Sequence, residues 1–383
     1  MPRRQPDARL MRVCMVLFGD LRFDFRVFRE ADALRTAGHQ VVLVASDFGG
    51  RLPSVWDDFE FRRIPVDRSK SLRRTYPLFW HRAARLAWEV DADVYHAHDL
   101  DALWPAARAA GRRGACLVYD SHELFVEQSS LVRRAGVRGF WGWLERRLVR
   151  RVDRVLTVSA AIADTLQQTY DLEPPPILVR NLPPFREPVS GDGLRQALGL
   201  DGDDEPLALY QGGFLTDNGL AEQITAMSRI GVGRLVLLGS GPMEEGLRHQ
   251  VASLGLQDRV RFLPRRPFPQ LHALTCGADL GLCVIKPAGN SFLWSMPNKL
   301  FEYLMAGLPV LAGDTPEIRR VIEDTGAGVL VDPADPDAIA GPLRELLTDE
   351  PRRRRLGEAA ARSARRYCWE REAPRLLEAY AQL

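Results

Sequence analysis

Short apolar runs alternate with amphipathic helical stretches along most of the chain. In the first half the apolar runs cover residues 12–18, 40–45, 94–98, 116–119, 154–158 and 177–179. In the second half they cover residues 207–210, 234–238, 260–263, 280–284, 309–312 and 328–331. Continuous apolar strands that alternate with helices are typical of parallel sheets whose two faces are both covered by helices. The pattern therefore predicts two doubly wound α/β units in series.

A proline-rich segment interrupts this pattern near the middle of the chain. Residues 173–202 hold six prolines followed by an acidic stretch with glycines, which is the composition of a linker. Two domains joined in this way would leave a cleft between the carboxyl ends of their sheets, where open α/β folds bind ligands. We expect a flexible tail over 1–10, an N-terminal domain over 11–185, a linker over 186–205, a second domain over 206–365 and a C-terminal helix over 366–383.

Charge and cysteine content narrow the function classes. The 383 residues contain 52 Lys+Arg and 50 Asp+Glu, and a net charge of +2 is too small to indicate nonspecific binding to nucleic acid. Lysines are scarce among the cations, at Lys70, Lys286 and Lys299 only. The five cysteines have no CxxC or paired Cys/His spacing, which favours free thiols in a reducing compartment over disulfides or a zinc site. No run reaches the roughly 18 apolar residues of a membrane span, so we expect a cytoplasmic protein.

The stretch 290–312, NSFLWSMPNKLFEYLMAGLPVLA, is the most informative part of the sequence. We expect Ser295 to cap a helix, Pro297 to stand in its first turn and Gly307 to end it. The free N–H groups and partial positive charge of a helix N-terminus, with Lys299 beside them, would suit a diphosphate. Glu302, about one turn later, could accept two hydrogen bonds from a ribose diol. The alternative is that Lys299 and Glu302 form an exposed i,i+3 ion pair.

At this point the sequence resembles a known family. PNKLFEYLMAGLPVLA is similar to the donor-site helix of glycosyltransferase family four, in a variant subgroup with a PxKxxEY motif. MRVCMVLFGD, DADVYHAHDLDAL and VYDSHELFVE resemble strands of the family's N-terminal domain, while ALYQGGFLTDNGL and VLLGSGP resemble the opening of its donor domain. The resemblance implies the GT-B fold, with two Rossmann-like domains facing across a cleft and a C-terminal helix that returns to the N-terminal domain.

The resemblance also implies a reaction. It is the transfer of a hexose-type sugar from a nucleotide-diphosphate sugar, most simply a UDP-sugar, to a hydroxyl acceptor, with retention of anomeric configuration. No metal or other cofactor is implied. The acceptor, a small molecule, a glycan or a lipid-linked sugar, would be held mainly by the N-terminal domain and the donor by the C-terminal domain.

The resemblance assigns donor contacts to residues of this sequence, and the sequence also departs from the family pattern at three positions. Glu302 aligns with the ribose-binding glutamate. Trp294 stands where most members have another glutamate, and Phe214 and Asn218 stand where many have an arginine and a lysine on the diphosphate. Because an unpaired buried phosphate is costly, we expect Lys286 and Lys299 to replace this clamp. The full set of expected donor contacts is Gly213, Asn218, Lys286, Ser295, Asn298, Lys299 and Glu302.

Two histidines alternate on a strand near the presumed cleft. His96 and His98 form an HxH pattern, but the residues that follow do not complete a binuclear metal motif, so we expect no metal. The resemblance assigns His98 a contact with the donor sugar, as the catalytic position, where it would hydrogen-bond a hydroxyl or position reactants. The leaving diphosphate oxygen would then take the proton of the acceptor, and no side-chain nucleophile is required. A purely structural histidine is the alternative for both positions.

The acceptor candidates are polar residues near the ends of the first and fifth strands. The consecutive residues Asp120, Ser121 and His122 cannot form a catalytic triad, because adjacent side chains of an extended segment point in opposite directions. The loop after the first strand lacks the double glycine of many relatives. The expected acceptor contacts are Asp20, Arg22, Arg26, His122 and Glu123.

Residues 132–155 combine aromatic and basic side chains. Phe140, Trp141 and Trp143 are interleaved with arginines, which would suit the surface of a membrane and a lipid-linked acceptor. The alternative is an ordinary amphipathic helix that packs Trp141, Leu144 and Leu148 on the sheet.

Two other functions stay open at the level of sequence. The departures at Phe214, Asn218 and Trp294 would suit a catalytically silent GT-B protein that binds or activates a partner transferase. A sugar-nucleotide epimerase can share the same two-domain plan, although the sequence has no dedicated acid/base pair for it.

Overall fold

The computed structural model describes residues 10–67, 69–132, 134–266, 268–287, 289 and 293–383. The chain packs into two units. One is built from the residues up to Asn181 together with Glu372–Leu383, and the other from Leu182–Arg371. Most of the tail expected over 1–10 lies outside the described residues, as do residues 290–292 of the donor-site stretch.

The first unit contains a sheet of seven parallel strands among the described residues, in the order β3-β2-β1-β4-β5-β6-β7. The strands are β1 Arg12–Leu17, β2 Gln40–Asp47, β3 Glu60–Pro65, β4 Val94–His98, β5 Cys116–Ser121, β6 Arg154–Thr157 and β7 Ile177–Leu178. The helices are α1 Phe25–Thr36, α2 Leu72–Val90, α3 Leu100–Arg113, α4 Ser129–Val132, α5 Ala135–Leu148 and α6 Ala160–Tyr170. This doubly wound order confirms the predicted fold class for the first half.

The order of the strands reverses between β1 and β4, and this determines which loops meet. Every residue of β4 is buried, and Leu17 at the end of β1 lies opposite His98 at the end of β4. The partner of His98 on β5 is Asp120. Ligands of open α/β sheets bind at the carboxyl ends of strands at such a switch point. The loops after β1, β4 and β5 therefore form the candidate site of this unit.

The strand β3 was not expected from the apolar pattern. Of its six residues only Ile64 is fully buried, and both Arg62 and Arg63 are exposed. Since β3 lies at the edge of the sheet, one face and one edge reach solvent and no continuous apolar run is needed.

The second unit contains a sheet of six parallel strands in its described part, in the order β10-β9-β8-β11-β12-β13. The strands are β8 Leu207–Gly213, β9 Arg234–Ser240, β10 Val260–Leu263, β11 Leu280–Cys283, β12 Val310–Gly313 and β13 Gly328–Val331. The helices are α7 Gly193–Leu198, α8 Leu220–Ser228, α9 Glu244–Ser253, α10 Phe268–Cys276, α11 Asn298–Met305, α12 Pro316–Thr325, α13 Pro336–Thr348, α14 Glu350–Ala364 and α15 Trp369–Ala381.

The two ends of the second unit differ from the expected boundaries. Helix α7 lies inside the expected linker over 186–205, yet its Leu194 is fully buried and its Arg195 pairs with Asp279 at 3.2 Å. This part of the chain is therefore packed structure. From Glu372 onward α15 belongs to the first unit, where Glu372 pairs with Arg180. The return of the C-terminal helix is thus confirmed.

None of the helices in the described ranges is both long and apolar enough to span a bilayer.

Candidate functional site

Glycines allow the carboxyl ends of strands β8 and β9, with the residues that follow them, to come into direct backbone contact. Strand β8 ends at Gly212 and Gly213, and β9 runs through Gly239. A Cβ atom added to Gly239 would lie 1.9 Å from the carbonyl oxygen of Gly212, and one added to Gly241 would lie 2.5 Å from that of Phe214. Phe214 is itself fully buried beside Phe262. The position where many relatives have an arginine is therefore part of the core.

Lys299 lies against the end of β8. Its ammonium nitrogen is 4.1 Å from the centre of the Tyr210 ring, and the side chain would be 3.3 Å from a Cβ at Gly212, a tight contact at a position whose φ of +138° already favours glycine. The residue is 9% exposed. Burial lowers the pKa of Lys299 to about 8, against the opposing influence of Cys283 and Glu302. Among the described residues its ammonium has no hydrogen bond or ion pair, so the exposed pair with Glu302 is not formed.

Helix α11 begins later than the sequence suggested. Its first residue is Asn298, and Pro297 occupies the N-cap with extended backbone (ψ 130°) and no side-chain cap bond. The expectation that Ser295 caps this helix is therefore wrong, because the chain is still extended at Pro297. Gly307, with φ +66°, follows the last turn as expected. Asn298 is exposed at the helix N-terminus.

A buried glutamine holds the carboxylate of Glu302. Gln211 is 2% exposed, and its Nε2 donates to Glu302 Oε2. The Oε1 of Gln211 accepts a hydrogen bond from Thr275 Oγ1 at 2.7 Å. Glu302 and Thr275 also line an open pocket of about 300 Å³. Gln211 was not expected from the sequence, although a lone amide at the end of an otherwise apolar strand could have indicated it.

Replacing Gln211 with leucine is expected to weaken UDP binding about fivefold, or about 1 kcal/mol, while binding of inorganic pyrophosphate stays unchanged. The leucine removes the donor that orients Glu302, and only UDP carries a ribose. Calorimetric titration of both ligands measures the difference. Equal weakening of both would contradict a ribose contact at Glu302.

Two expected donor contacts already have partners. The ammonium of Lys286 is 2.8 Å from Glu222 Oε1, so a phosphate would have to compete with that carboxylate. Asn218 is 8% exposed and its Nδ2 donates to the carbonyl of Gly213 at 2.8 Å. Tyr210 donates its hydroxyl to the same carbonyl at 2.7 Å. Asn218 and Tyr210 thus support the loop that contains Gly213, and a direct contact of Asn218 with a donor stays a prediction.

In the first unit His98 stands in a network of charged groups. It is 2% exposed, and its Nδ1 is 3.3 Å from Asp120 Oδ2 and 3.2 Å from His122 Nε2. His122 Nε2 lies 2.8 Å from Asp120 Oδ2, and its Nδ1 lies 3.3 Å from Asp99 Oδ2. Ser121 points elsewhere and donates to the carbonyl of Glu123. The network joins His98 to the carboxylate of Asp120.

Arg26 is part of the same network. It is 3% exposed, and its guanidinium donates to both oxygens of Asp120, at 2.8 and 2.6 Å, and to the carbonyl of Val179 at 2.8 Å. The expectation that Arg26 contacts the acceptor is wrong, because α1 turns its side chain into the core.

Four buried side chains in and beside this network could bind a metal ion. Glu30, His96, His98 and Asp120 bring possible ligand atoms within 4.8 Å of one another. However, Arg26 lies 3.0 Å from Glu30 Oε1 and also binds Asp120. A divalent cation beside a buried guanidinium would be poorly stabilised. We therefore infer that the guanidinium of Arg26, and not a metal ion, balances the negative charge of these carboxylates. His96 is fully buried with its Nδ1 2.7 Å from the Tyr380 hydroxyl.

The other acceptor candidates lie nearer the surface. Arg22 donates to both oxygens of Asp20, at 2.8 and 2.6 Å, and this pair lines an open pocket of about 280 Å³ with Asp47. Glu123 accepts a hydrogen bond from Gln128 at 2.8 Å. Asp20, Arg22, His122 and Glu123 all lie after the carboxyl ends of β1 and β5, as expected for a binding edge.

Both halves of the chain match known protein families. Residues 194–363 match the family model described as "Glycosyl transferases group 1", and residues 26–180 match the one described as "Glycosyltransferase Family 4". The chain is 30% identical over 316 residues to D-inositol 3-phosphate glycosyltransferase of Xylanimonas cellulosilytica, covering 76% of this chain and 72% of the relative. It is also 30% identical to the enzyme of that name from Salinispora tropica, of which it spans 64%.

Solved structures agree on the fold. Sucrose-phosphate synthase from Thermosynechococcus elongatus superposes with a TM-score of 0.79 at 20% identity, covering 97% of this chain and 98% of that one. Anabaena HepE in complex with UDP and glucose superposes with a TM-score of 0.74 at 19% identity, covering 97% and 100%. Each unit of the present chain is thus half of a GT-B fold.

Proposed function

The chain belongs to glycosyltransferase family 4, and on this premise we propose that it transfers a hexose-type sugar from a nucleotide-diphosphate sugar to a hydroxyl acceptor. UDP is the proposed nucleotide, since HepE was solved with UDP and glucose. The proposed reaction retains the anomeric configuration and requires no metal ion. The observation that carries the proposal is the buried Lys299, whose ammonium forms no ion pair or hydrogen bond among the described residues.

The second unit has the groups that a nucleoside diphosphate requires. Lys299 and the first N–H groups of α11 would stabilise the diphosphate, because a helix N-terminus adds a partial positive charge of about half a unit. Glu302, oriented by Gln211, would accept hydrogen bonds from the ribose diol. Gly212 and Gly213 would let the backbone approach the phosphates closely. Together these groups supply positive charge where the leaving diphosphate develops negative charge.

In the first unit we assign His98 a contact with a hydroxyl of the transferred sugar. Its Nε2 is buried and has no hydrogen-bond partner among the described residues. The proposed transfer proceeds on one face of the sugar, where the departing diphosphate oxygen takes the proton from the acceptor hydroxyl as the new bond forms. The protein then contributes orientation and electrostatic stabilisation.

A panel of UDP-, GDP- and TDP-sugars tests the proposal through nucleotide release in the presence and absence of EDTA. We expect release of UDP with an acceptor present and no effect of the chelator. Donor binding without turnover on any acceptor would instead favour the silent GT-B protein. An epimerised sugar formed without an acceptor would favour the epimerase.

Donor binding is expected to take up a proton at alkaline pH. Free Lys299, with a pKa near 8, loses its charge as the pH rises from 7 to 9. A bound diphosphate favours the charged form and raises this pKa, so proton uptake on binding should be near zero at pH 7 and approach one at pH 9. Calorimetry of UDP binding in two buffers of different ionisation enthalpy measures it. No uptake at pH 9 would contradict a contact between Lys299 and the diphosphate.

We also propose that α5 contacts an anionic membrane surface. Trp141, Leu144 and Leu148 are each about 95% buried, as expected for a packed helix, whereas Phe140 and Trp143 are 45% and 59% exposed. Exposed arginines flank these aromatic residues in the sequence, at positions 138, 146 and 147. Arg133, part of the segment 132–155, lies outside the described residues. Exposed aromatic rings beside arginines suit the boundary of a bilayer with anionic headgroups.

The protein is expected to co-sediment with vesicles rich in phosphatidylglycerol and not with phosphatidylcholine vesicles. The double variant Phe140→Ser, Trp143→Ser should bind the anionic vesicles at least threefold more weakly. Phe140 also packs against Trp80 and Trp141, so a small decrease in melting temperature is expected, and Phe140→Leu with Trp143→Ser serves as the control that keeps this packing. Absence of binding to anionic vesicles would remove the membrane proposal.

A further inference from the structure

His98 has one ring nitrogen in a network and the other without a partner. Its Nδ1 faces Asp120 and His122, while its Nε2 is buried and has no hydrogen-bond partner among the described residues. A neutral imidazole has one N–H donor and one lone-pair acceptor, so the tautomer decides what Nε2 can bind. Burial lowers the pKa of His98, although Asp120 opposes this, so the ring is neutral at neutral pH.

The charge of Asp120 follows from its partners. Burial opposes ionisation of this carboxyl group, but Arg26 and His122 outweigh burial and hold its pKa well below the usual range. Arg26 binds it through two hydrogen bonds in a bidentate pair, the strongest arrangement for a carboxylate. Asp120 is therefore an acceptor only, with the oxygen Oδ2 facing His98.

His122 does not serve as an acceptor for His98. Its two nitrogens face two carboxylates, Asp120 at 2.8 Å and Asp99 at 3.3 Å. Burial lowers its pKa, but these carboxylates more than compensate and raise the pKa to about 10. Both nitrogens of His122 then carry hydrogens. The Nε2 hydrogen belongs to the nearer acceptor, Asp120 Oδ2, rather than to His98 Nδ1 at 3.2 Å.

We propose that Asp120 is a positioning residue that holds His98 as the Nδ1–H tautomer, which leaves the Nε2 lone pair to accept a hydrogen bond from a sugar hydroxyl. The opposite tautomer would direct the Nδ1 lone pair at the carboxylate oxygen 3.3 Å away. Arg26 acts through Asp120 by holding the carboxylate ionised and in place. The contact with the sugar rests on the proposed function, whereas the tautomer does not.

The consequence for specificity is that His98 recognises a donor group on the sugar. A sugar hydroxyl can donate the hydrogen bond that the Nε2 lone pair accepts. A fluorine at the same position cannot, because it can accept a hydrogen bond but has no hydrogen to donate. An ether oxygen at that position, which carries no hydrogen, would leave the buried Nε2 unpaired, which is unfavourable.

Two-bond ¹H–¹⁵N correlation spectra of the full chain with ¹⁵N-labelled histidine test the tautomer directly. The signal of His98, one of seven histidines, is identified by its loss in His98→Gln. We expect the nonprotonated ¹⁵N shift at Nε2 and the protonated shift at Nδ1. The reverse pattern, or an imidazolium with both nitrogens protonated at pH 7.5, would overturn the proposal.

A variant pair separates positioning from general structure. In Asp120→Asn the carboxylate charge is lost, and the population of the Nε2–H tautomer of His98 should rise. Asp99→Asn is the matched control, because it removes the other carboxylate at His122 and asparagine tolerates the φ of +64° at this position. The control should leave the His98 tautomer unchanged. An equal shift of the tautomer population in both variants would contradict a specific effect of Asp120. The absence of any shift in a folded Asp120→Asn variant would contradict it as well. If Asp120→Asn does not fold, the spectrum of the unmodified protein still decides whether His98 is the Nδ1–H tautomer.

Donor analogues test the contact with the sugar. Deoxy and deoxyfluoro forms of UDP-glucose, or of the panel donor with the highest turnover, are compared at each hydroxyl. At one position both replacements should lower kcat/KM about tenfold, and His98→Ala should abolish this discrimination. Retained activity with fluorine alone would show that Nε2 donates and overturn the proposal. If the tautomer is as expected but no position discriminates, the sugar contact fails while the positioning by Asp120 stands.

Discussion

Replacement of Lys299 by alanine is expected to raise the dissociation constant for UDP at least tenfold, which corresponds to about 1.4 kcal/mol. The side chain is buried against Tyr210 and Gly212, and its ammonium forms no ion pair or hydrogen bond among the described residues. In the free protein it is a desolvated cation, and a diphosphate would supply the charge that it lacks. Because the basic clamp of many relatives is absent at Phe214 and Asn218, little else in this loop can compensate.

Lys286→Ala is the matched control for this experiment. Lys286 already pairs with Glu222 at 2.8 Å, so we expect its removal to weaken UDP binding less than threefold. Both variants are titrated calorimetrically with UDP at pH 7, where Lys299 is charged. Unchanged affinity in Lys299→Ala would contradict the assignment. A larger effect at Lys286 would mean that UDP displaces Glu222 and uses the other lysine.

Replacement of Gly239 by alanine is expected to destabilise the second unit by about 3 kcal/mol. The new Cβ would lie 1.9 Å from the carbonyl oxygen of Gly212 and 3.0 Å from the ring of Phe214. Both neighbours belong to strand β8 and the loop that follows it, and Phe214 is fully buried, so neither can move without disturbing the core. The same displacement would change the position of Gly212 beside Lys299, and UDP binding should weaken as well.

Gly246→Ala in α9 is the control, because a Cβ there would have no atom within 4 Å. In a helix this change should stabilise by about 0.5–1 kcal/mol. Differential scanning calorimetry measures both variants. We expect Gly239→Ala to lower the melting temperature of the second unit by roughly 6–12 °C and Gly246→Ala to raise it slightly. A normal melting temperature in Gly239→Ala would show that the two loops can separate without cost.

The fold could be predicted from the linear pattern because its strands are buried on both faces. Such strands appear as continuous apolar runs, and twelve of the thirteen in the described residues were expected within a few positions. The exception, β3, is an edge strand with one fully buried residue and therefore carries no apolar run. Helix α7 was missed for a related reason, since a six-residue helix that buries one leucine resembles a linker in composition.

The candidate site was only partly predictable. Lys299 and Glu302 were found because they share one helix, and the periodicity of a helix can be read from the sequence. Arg26 was placed wrongly because its partner Asp120 lies 94 positions away, and residue spacing contains no information about such a pair. Gln211 and Tyr210 were missed because they lie on strand β8, far in the sequence from the helix that carries Lys299 and Glu302.

Local patterns alone were enough to establish two parallel α/β halves, the helix of the proposed donor site and the position of His98 at the end of a strand. These properties depend on residues that are close in the chain. Which cations are already neutralised, which lysine is buried without an anion, and which nitrogen of His98 carries the hydrogen depend on groups that meet only when the strands pair. Burial and ionic partners fix the charge of each group, and both are properties of the packed chain.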